Sequence, residues 1–298
     1  MKKFSKISAL SLAILILIMS SALAAPVNHV NIITINNNLP LEETGQVGRV
    51  AWEQGVVEAM GTGLPPENGR MASQNRPLAR RAAIVEAYRN LAEAIQGVQV
   101  DSETTMLNLA IVSDVVKTKV SGIINGAKIV SEKAMPDGSY IVVMRVNLYG
   151  DNSVAAVAYE AIKPPQIQEF PRSVMGSNYV QPTARYTGVI VDARGLGLES
   201  TFSPRVYDQN GRIIYGNMYI NTEFAISQGM VEYTINPEMV QAAERGQSRA
   251  GNYPLIVKAL QVKDNNNNVV ISNEDGNAIL AYNEQAGFLK QCAVVFER

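Results

Sequence analysis

Histidine and cysteine, which often act as catalytic bases, nucleophiles or metal ligands, each occur once in the 298 residues, as His29 and Cys292. A Ser-His-Asp or Cys-His site needs a histidine held by a folded scaffold, and His29 lies in a polar, irregular stretch near the N-terminus. One histidine and one cysteine also cannot supply the closed ligand set of a zinc site. Cys292 opens an apolar run that predicts a buried strand and an inert thiol. An intermolecular disulfide would need that strand to be an exposed edge.

Carboxylates are the remaining candidates for acid–base chemistry, and Asp192 and Asp208 are the first pair to inspect. An enzyme of this kind needs two acids facing each other in a cleft, one of them with a raised pKa. Nothing in the spacing of these two residues indicates such a pair, and Arg194 beside Asp192 predicts a local ion pair. We therefore predict a non-enzymatic protein with no catalytic, cofactor-binding or metal-binding residues and no cofactor.

Two short motifs indicate turns more than ligand sites. Gly195 and Gly197 follow a predicted strand, but the third glycine and the helix of a dinucleotide-binding motif are missing. The run Asp264–Asn268 places oxygen-bearing side chains like the first ligands of a calcium loop. Val269 and Asp275 then stand where that loop needs glycine and glutamate. A polar hairpin turn is the better interpretation.

The length, composition and charge limit the number of domains and the kinds of partner. A length of 298 residues predicts about two domains, and 47% hydrophobic residues is an ordinary globular value. Residues 1–24 carry three lysines and no acid, so 23 basic and 27 acidic side chains follow them, a formal charge of −4. That slightly acidic charge argues against a nucleic-acid partner and against binding to anionic lipids through a cluster of basic residues.

The N-terminus has the three parts of a secretory signal peptide. Three lysines precede an apolar run from Ile7 to Met19, and the small residues Ala22 and Ala24 form a cleavage site. An uncleaved anchor is the less favoured alternative, because the run is shorter than the roughly 20 residues of a membrane span. We expect cleavage after Ala24 or Ala25, no lipid anchor because no cysteine stands there, and no transmembrane segment in the mature chain. The predicted location is the periplasm or the outer membrane.

The pattern predicts an α+β fold with two α+β domains joined by a Pro-rich linker. Its predicted parts are a signal peptide (1–24), an extended N-terminal arm (25–46), a first α+β domain (47–162), a linker (163–183) and a C-terminal α+β domain (184–298).

In the first domain we expect a strand over Val50–Met60, ended by Gly61 and Gly63. A helix follows from Leu78 to Ile95, capped by Ser73 or Asn75 with Pro77 in its first turn. The stretch 104–124 is ambiguous, and a helix over 113–121 is favoured. A hairpin of 127–135 with 140–149 and a helix over 154–162 complete the domain.

In the C-terminal domain the turn 208–211 predicts a hairpin. Asn236 followed by Pro237 predicts a helix start, and Gly246 its end. Ser272 or Asn273 is expected to cap a helix through Asn283, and Lys290–Phe296 is the expected closing strand.

The block Pro77–Gly150 resembles the LPP20 (LPP-twenty) lipoprotein family, which includes the flagellar protein FlgP, and the N-terminal domain of the flagellar protein FlgT. The carrying residues are the helix segment 79–91, the segment 95–100 and the segment 126–130. Trp52, Gly55 and the segment 61–63 also fit.

The resemblance implies an exported envelope protein without catalytic residues, and a role in building structures near the flagellar motor or the outer membrane. Its expected partners are envelope proteins or further copies of itself. The alternative function is a periplasmic module that binds a small ligand or glycan between its domains.

Overall fold

The computed structural model describes residues 42–43, 48–66, 72–174 and 185–298. The predicted signal peptide, and the predicted arm apart from residues 42–43, lie outside these ranges. The described helices are α1 (Ala72–Gln96), α2 (Met106–Val112), α3 (Asp114–Asn125), α4 (Val154–Ala161), α5 (Thr222–Gln228), α6 (Pro237–Glu244) and α7 (Asn273–Ala286). None of these helices is both long and apolar enough to cross a membrane.

The described strands form three sheets, so the predicted α+β class is confirmed. They are β1 (Glu42–Glu43), β2 (Gly48–Ala51), β3 (Val56–Gly63), β4 (Lys128–Ala134), β5 (Tyr140–Asn147), β6 (Gly188–Asp192), β7 (Val206–Asp208), β8 (Ile213–Tyr215), β9 (Glu232–Thr234), β10 (Pro254–Lys258), β11 (Gln261–Lys263), β12 (Asn268–Ile271) and β13 (Val294–Glu297). The sheet orders are β1-β2-β3-β5-β4, β10-β6-β13-β9 and β11-β12-β7-β8. The first sheet belongs to the N-terminal part (described residues 42–43, 48–66 and 72–161), and the other two belong to the C-terminal part (residues 185–298).

Helix α1 lies very close to strand β3, which corrects two predictions. The strand continues to Gly63, because Gly61 and Gly63 serve close packing and do not end it. A Cβ atom added to Gly61 would lie 2.1 Å from the carbonyl oxygen of Ala83. The helix begins at Ala72, so Pro77 lies inside it and Asn75 is not its cap. Pro77 is the sixth residue of the helix, so the backbone hydrogen bond that another residue would donate there to residue 73 is missing.

Three more differences follow from local capping and turns. Residues 52–55 form a turn, so the predicted strand from Val50 is a β2–β3 hairpin. The ambiguous stretch contains two helices, because Thr105 caps α2 and Ser113 caps α3. The closing strand begins only at Val294, since Cys292 has a left-handed φ of 55°.

Other predicted elements are confirmed. The β4–β5 and β7–β8 hairpins form, and α4 and α6 start where they were predicted. Ser272 accepts a hydrogen bond from the backbone of Asp275 and caps α7. A finding that the pattern did not predict is that β10, β6, β13 and β9 are all parallel.

One hydrophobic core spans the junction of the two parts. The ring of Phe202 packs edge-on against Trp52 and Tyr159, with centroids 5.1 and 5.7 Å apart. The Tyr159 hydroxyl donates a hydrogen bond to the carbonyl oxygen of Phe202 and accepts one from the backbone of Met230. The C-terminal part therefore packs on the N-terminal part through buried aromatic side chains and not through a loose surface contact.

The described half of the predicted linker runs along the C-terminal part. The backbone N–H of Gln168 donates to the carbonyl of Met218, and the Phe170 ring lies 4.9 Å from that of Tyr219. The Ser173 hydroxyl donates to the carbonyl of Asn277 on α7. Residues 175–184 lie outside the described ranges, and the boundaries of the linker stay a prediction.

Candidate functional site

A cleft of about 440 Å³ opens where the two parts meet. The turn 52–55 and Tyr149 line one side, and residues 228–233 with Arg249 line the other. The turn follows β2 and is closed by a hydrogen bond from Gly55 to the carbonyl of Trp52, with Gly55 at a φ of 64°. A glycine suits this left-handed position because it has no Cβ atom. The turn thereby presents Glu53 to the C-terminal part.

The carboxyl group of Glu53 joins the two parts but is only half satisfied. Its Oε1 accepts a hydrogen bond of 2.9 Å from the backbone N–H of Ile235. Its buried Oε2 has no hydrogen-bond partner among the described residues. Burial raises the pKa of Glu53 to about 7, and the nearby charge of Glu232 adds to this rise. A carboxyl group with a raised pKa in a cleft is typical of functional sites.

Arg249 is the cation of the cleft, and carbonyl groups hold it in place. Its guanidinium donates to the carbonyl oxygens of Gln228 and Gly229, at 2.5 and 2.9 Å. Its backbone N–H donates to Glu232, whose Oε2 lies 3.6 Å from the guanidinium Nε. Gly229 has a φ of 83°, and its Cα lies so close to Tyr149 that an added Cβ would be 2.9 Å from the hydroxyl.

A larger groove of about 690 Å³ lies on the N-terminal part, between the end of β5, α3 and α4. Three of its charged side chains, Lys119, Arg145 and Glu160, already have ionic partners. Lys119 pairs with Glu160, and Arg145 pairs with the buried carboxylate of Glu58, which also binds Arg49. The cleft is therefore the stronger candidate for a ligand site, because one oxygen of Glu53 has no partner there among the described residues.

The structure does not pair Asp192 with Asp208. Asp192 ends β6 and forms a two-point ion pair with Arg194, with both distances 2.8 Å, so the predicted local ion pair is confirmed. This hydrogen bonding lowers the pKa of Asp192. Asp208 ends β7 in another sheet, is buried, and accepts hydrogen bonds from Arg212. Each acid is thus held by its own arginine.

Asp192 instead has an acidic neighbour that the pattern did not predict. Glu297 is its register partner on the adjacent parallel strand β13 and is 0% exposed. Neither carboxyl oxygen of Glu297 has a hydrogen-bond partner within the described part of the chain, and Arg194 lies 3.6 Å from one of them. Burial raises the pKa of Glu297 to about 7.

The two turn interpretations are confirmed. Gly195 and Gly197 lie in a turn after β6 with positive φ. Asp264–Asn267 forms the β11–β12 turn, in which Asn268 donates a side-chain hydrogen bond to Asp264. Within the described ranges, no three His, Cys, Asp or Glu side chains are arranged to hold a metal ion. Cys292 is buried, and burial raises the pKa of its thiol, as expected for an inert core cysteine.

The cleft residues could not be identified from their spacing, because Glu53, Glu232 and Arg249 come from distant segments. The one feature of the sequence that could have drawn attention to Glu53 is its neighbour Trp52, the only tryptophan of the chain.

The fold and the cleft define a two-part α+β protein, and each part matches a family model. Residues 54–147 match the LPP20 lipoprotein family, which confirms the predicted resemblance. Residues 188–296 match the second domain of Treponema pallidum Tp0624. Neither match alone covers half of the chain. None of the curated proteins compared with the chain matches it. The LPP20 match supports the exported, envelope-associated character that the N-terminus predicts.

Proposed function

We propose that this chain is a non-enzymatic exported protein that assembles with other envelope proteins or with itself. The proposed setting is a structure near the flagellum or the outer membrane, as the resemblance to the FlgP and FlgT proteins implies. The absence of enzyme activity is part of this proposal. It is supported by the separate ion pairs of Asp192 and Asp208, the two acids that were the best catalytic candidates.

The observation that carries the proposal is an exposed apolar corner between α2 and α3. We define the apolar corner as Leu107, Ile111, Val112 and Val115. Ile111, Val112 and Val115 are 72, 80 and 64% exposed. The opposite sides of the same helices bury Met106 and Val116. All residues of α2 except Asn108 are apolar. A helix of this kind is normally buried, and contiguous exposed apolar patches mark interaction sites.

Side-chain caps fix the start of both helices of the corner, which suits an interface. The Thr105 hydroxyl accepts a hydrogen bond from the backbone of Asn108 in a capping box, and Ser113 caps the following helix. A surface held in one shape loses less conformational entropy when a partner binds.

The sheet edge formed by β4 is less suited to be a contact surface than the apolar corner. Edge strand β4 carries a bulge between Ile129 and Ser131 and the charged residues Lys128, Glu132 and Lys133. Bulges and charges are the devices that block strand addition.

The experiment compares two valine substitutions in a strain that lacks the native gene. Val112→Asp places a charge in the apolar corner, and Val85→Asp does so at a similarly exposed valine of α1. Because both positions are solvent-exposed, both variants should fold with wild-type thermal stability. We expect Val85→Asp, but not Val112→Asp, to restore motility and envelope integrity. Full rescue by Val112→Asp, or a deletion strain with normal motility and envelope, would refute the proposal.

The cleft favours a second candidate function, the binding of a small ligand or glycan. The supporting observation is the unpartnered Oε2 of Glu53 in a cleft with aromatic walls. Binding sites combine a concave shape with a few convergent polar groups. Direct titration with small molecules distinguishes this function from assembly, because assembly needs no ligand in the cleft.

A further inference from the structure

The charges that face the cleft do not balance. Glu53 and Glu232 are two carboxyl groups, and Arg249 is the one guanidinium among the residues that line the cleft. The guanidinium lies against Glu232 and the carbonyls of residues 228 and 229. From the residues that the structure describes, Glu53 receives one backbone hydrogen bond and no ion pair. An ionised carboxylate at this depth is costly unless a positive charge or hydrogen-bond donors compensate it.

The walls of the cleft suit an organic cation. Tyr149, Trp52 and Tyr233 line it, and the rings of Trp52 and Tyr233 pack edge-on with centroids 5.8 Å apart. Aromatic faces attract an ammonium or guanidinium group within about 6 Å of the ring centroid. A neutral ligand of the same size would leave the Glu53 charge uncompensated.

We propose that the cleft binds a small molecule with a primary ammonium group, placed between Glu53 and Glu232 and against the ring of Tyr149. The ligand is an aliphatic amine or an amino sugar, which share this group. This inference rests on the second candidate function, ligand binding in the cleft, and is independent of assembly through the apolar corner.

Binding of an ammonium group is linked to the protonation of Glu53. The ionisable groups that line the cleft with Glu53 are Glu232 and Tyr233 on β9, Arg249 and Tyr149. The pKa of Glu53 is raised to about 7, so its carboxyl is mostly protonated at pH 6 and mostly ionised at pH 8. A cation favours the ionised form. Binding therefore releases a proton, and affinity should rise about tenfold from pH 6 to pH 8.

The experiment is calorimetric titration of the protein purified from the cell envelope. The probes are cadaverine, whose amines stay charged below pH 9, and glucosamine, with 1-pentanol and glucose as neutral counterparts. We expect both amines to bind and both neutral probes to fail. We also expect cadaverine to bind about tenfold more tightly at pH 8 than at pH 6.

Two variants locate the site. Glu53→Gln keeps an oxygen that can accept the hydrogen bond of Ile235 but removes the charge, and it should weaken cadaverine binding at least tenfold and abolish its pH dependence. Glu223→Gln removes an exposed acid on α5 and should bind as the wild type does. If Glu53→Gln does not fold, Glu232→Gln takes its place, and the pH dependence of the wild type needs no variant.

The possible results distinguish two claims: that the ligand carries an ammonium group, and that the cleft binds a ligand at all. Equal binding of glucose and glucosamine, unaffected by Glu53→Gln, would overturn the ammonium class. If Tyr149→Leu then abolished that binding, ligand binding in the cleft would survive. Failure of all four probes to bind the wild type would overturn both this inference and the second candidate function.

Discussion

Glu297 shows how a single side chain links the fold to pH. Its carboxyl group lies at the end of the interior strand β13 and is fully buried, and no residue that the structure describes donates a hydrogen bond to either oxygen. Burial raises its pKa from 4.5 to about 7, and the attraction of Arg194 only partly opposes this rise. The folded protein therefore holds this proton more tightly than the unfolded chain does.

The raised pKa of Glu297 determines how folding stability changes with pH. Because the pKa of a carboxyl group is raised on folding, the unfolded chain loses the proton first as the pH rises, and folding stability falls between about pH 4.5 and pH 7. We predict that Glu297→Gln, which keeps the shape and removes the charge, raises the free energy of unfolding by about 1 to 3 kcal/mol at pH 8. At pH 5 the change should be small. Urea unfolding at both pH values measures it.

The matched control is Glu199→Gln, at an exposed acid of the same part of the chain. It should leave stability unchanged at both pH values. If Glu297→Gln destabilised the protein equally at pH 5 and pH 8, the buried carboxylate would be part of a satisfied ion pair and our account of it would be wrong.

Residues of this kind are difficult to predict from sequence. The pair of Asp192 and Arg194 was predictable because the two side chains are neighbours in the chain. The environments of Glu53 and Glu297 depend on segments that approach from far along the chain, through the interface with Ile235 and the parallel pairing of β6 with β13. Burial sets their pKa values, and sequence spacing does not report burial.

At the scale of elements, the contact of α1 with β3 organises the N-terminal part. The helix presents small residues, among them Ala83 and Ala87, which are fully buried against the strand. Gly61 and Gly63 give the strand a surface without side chains at the same positions. The sequence pattern predicted the helix but did not identify this buried alanine face, and the glycines were interpreted as a strand end. A glycine in a strand can indicate a turn or a place where another backbone packs closely. Only the position of the neighbouring element distinguishes the two.

Two glycine substitutions should change stability in opposite directions. In Gly61→Ala the new Cβ would lie 2.1 and 2.3 Å from backbone atoms of Ala83 and Ala87, so the helix must move away. We expect a loss of about 1 to 3 kcal/mol or more. Gly122 lies within α3 with no atom within 4 Å of an added Cβ. Gly122→Ala should therefore stabilise the protein by about 0.5 to 1 kcal/mol.

Thermal and urea unfolding of both variants test this packing. A Gly61→Ala protein as stable as the wild type would mean that α1 and β3 are farther apart than described.

At the scale of the whole molecule, the two parts share one core although they match different family models. The two-part organisation was predictable from length and from the proline-rich stretch. The shared core was not, because Trp52, Tyr159 and Phe202 meet only when both parts are folded. Proteins with a common core unfold cooperatively, whereas loosely linked domains unfold separately.

We predict a single unfolding transition in urea. Trp52 is the only tryptophan and lies at the junction, so its fluorescence reports the contact between the parts. Far-ultraviolet circular dichroism reports all helices and strands. The two midpoints should coincide, and Phe202→Ala should lower both together, with a loss of about 3 to 5 kcal/mol. A fluorescence transition that precedes the circular dichroism transition would show that the junction opens before the parts unfold.

The most direct test of the proposed assembly function is the capture of partners from gently solubilised envelopes. The tagged protein is expressed at its native level as wild type, Val112→Asp or Val85→Asp, and the bound proteins are identified by mass spectrometry. We predict that the wild type and Val85→Asp retain the same flagellar or outer-membrane assembly proteins, or further copies of the chain, and that Val112→Asp loses them. An identical set of partners for all three proteins, or a wild-type protein that elutes alone as a monomer, would contradict the account.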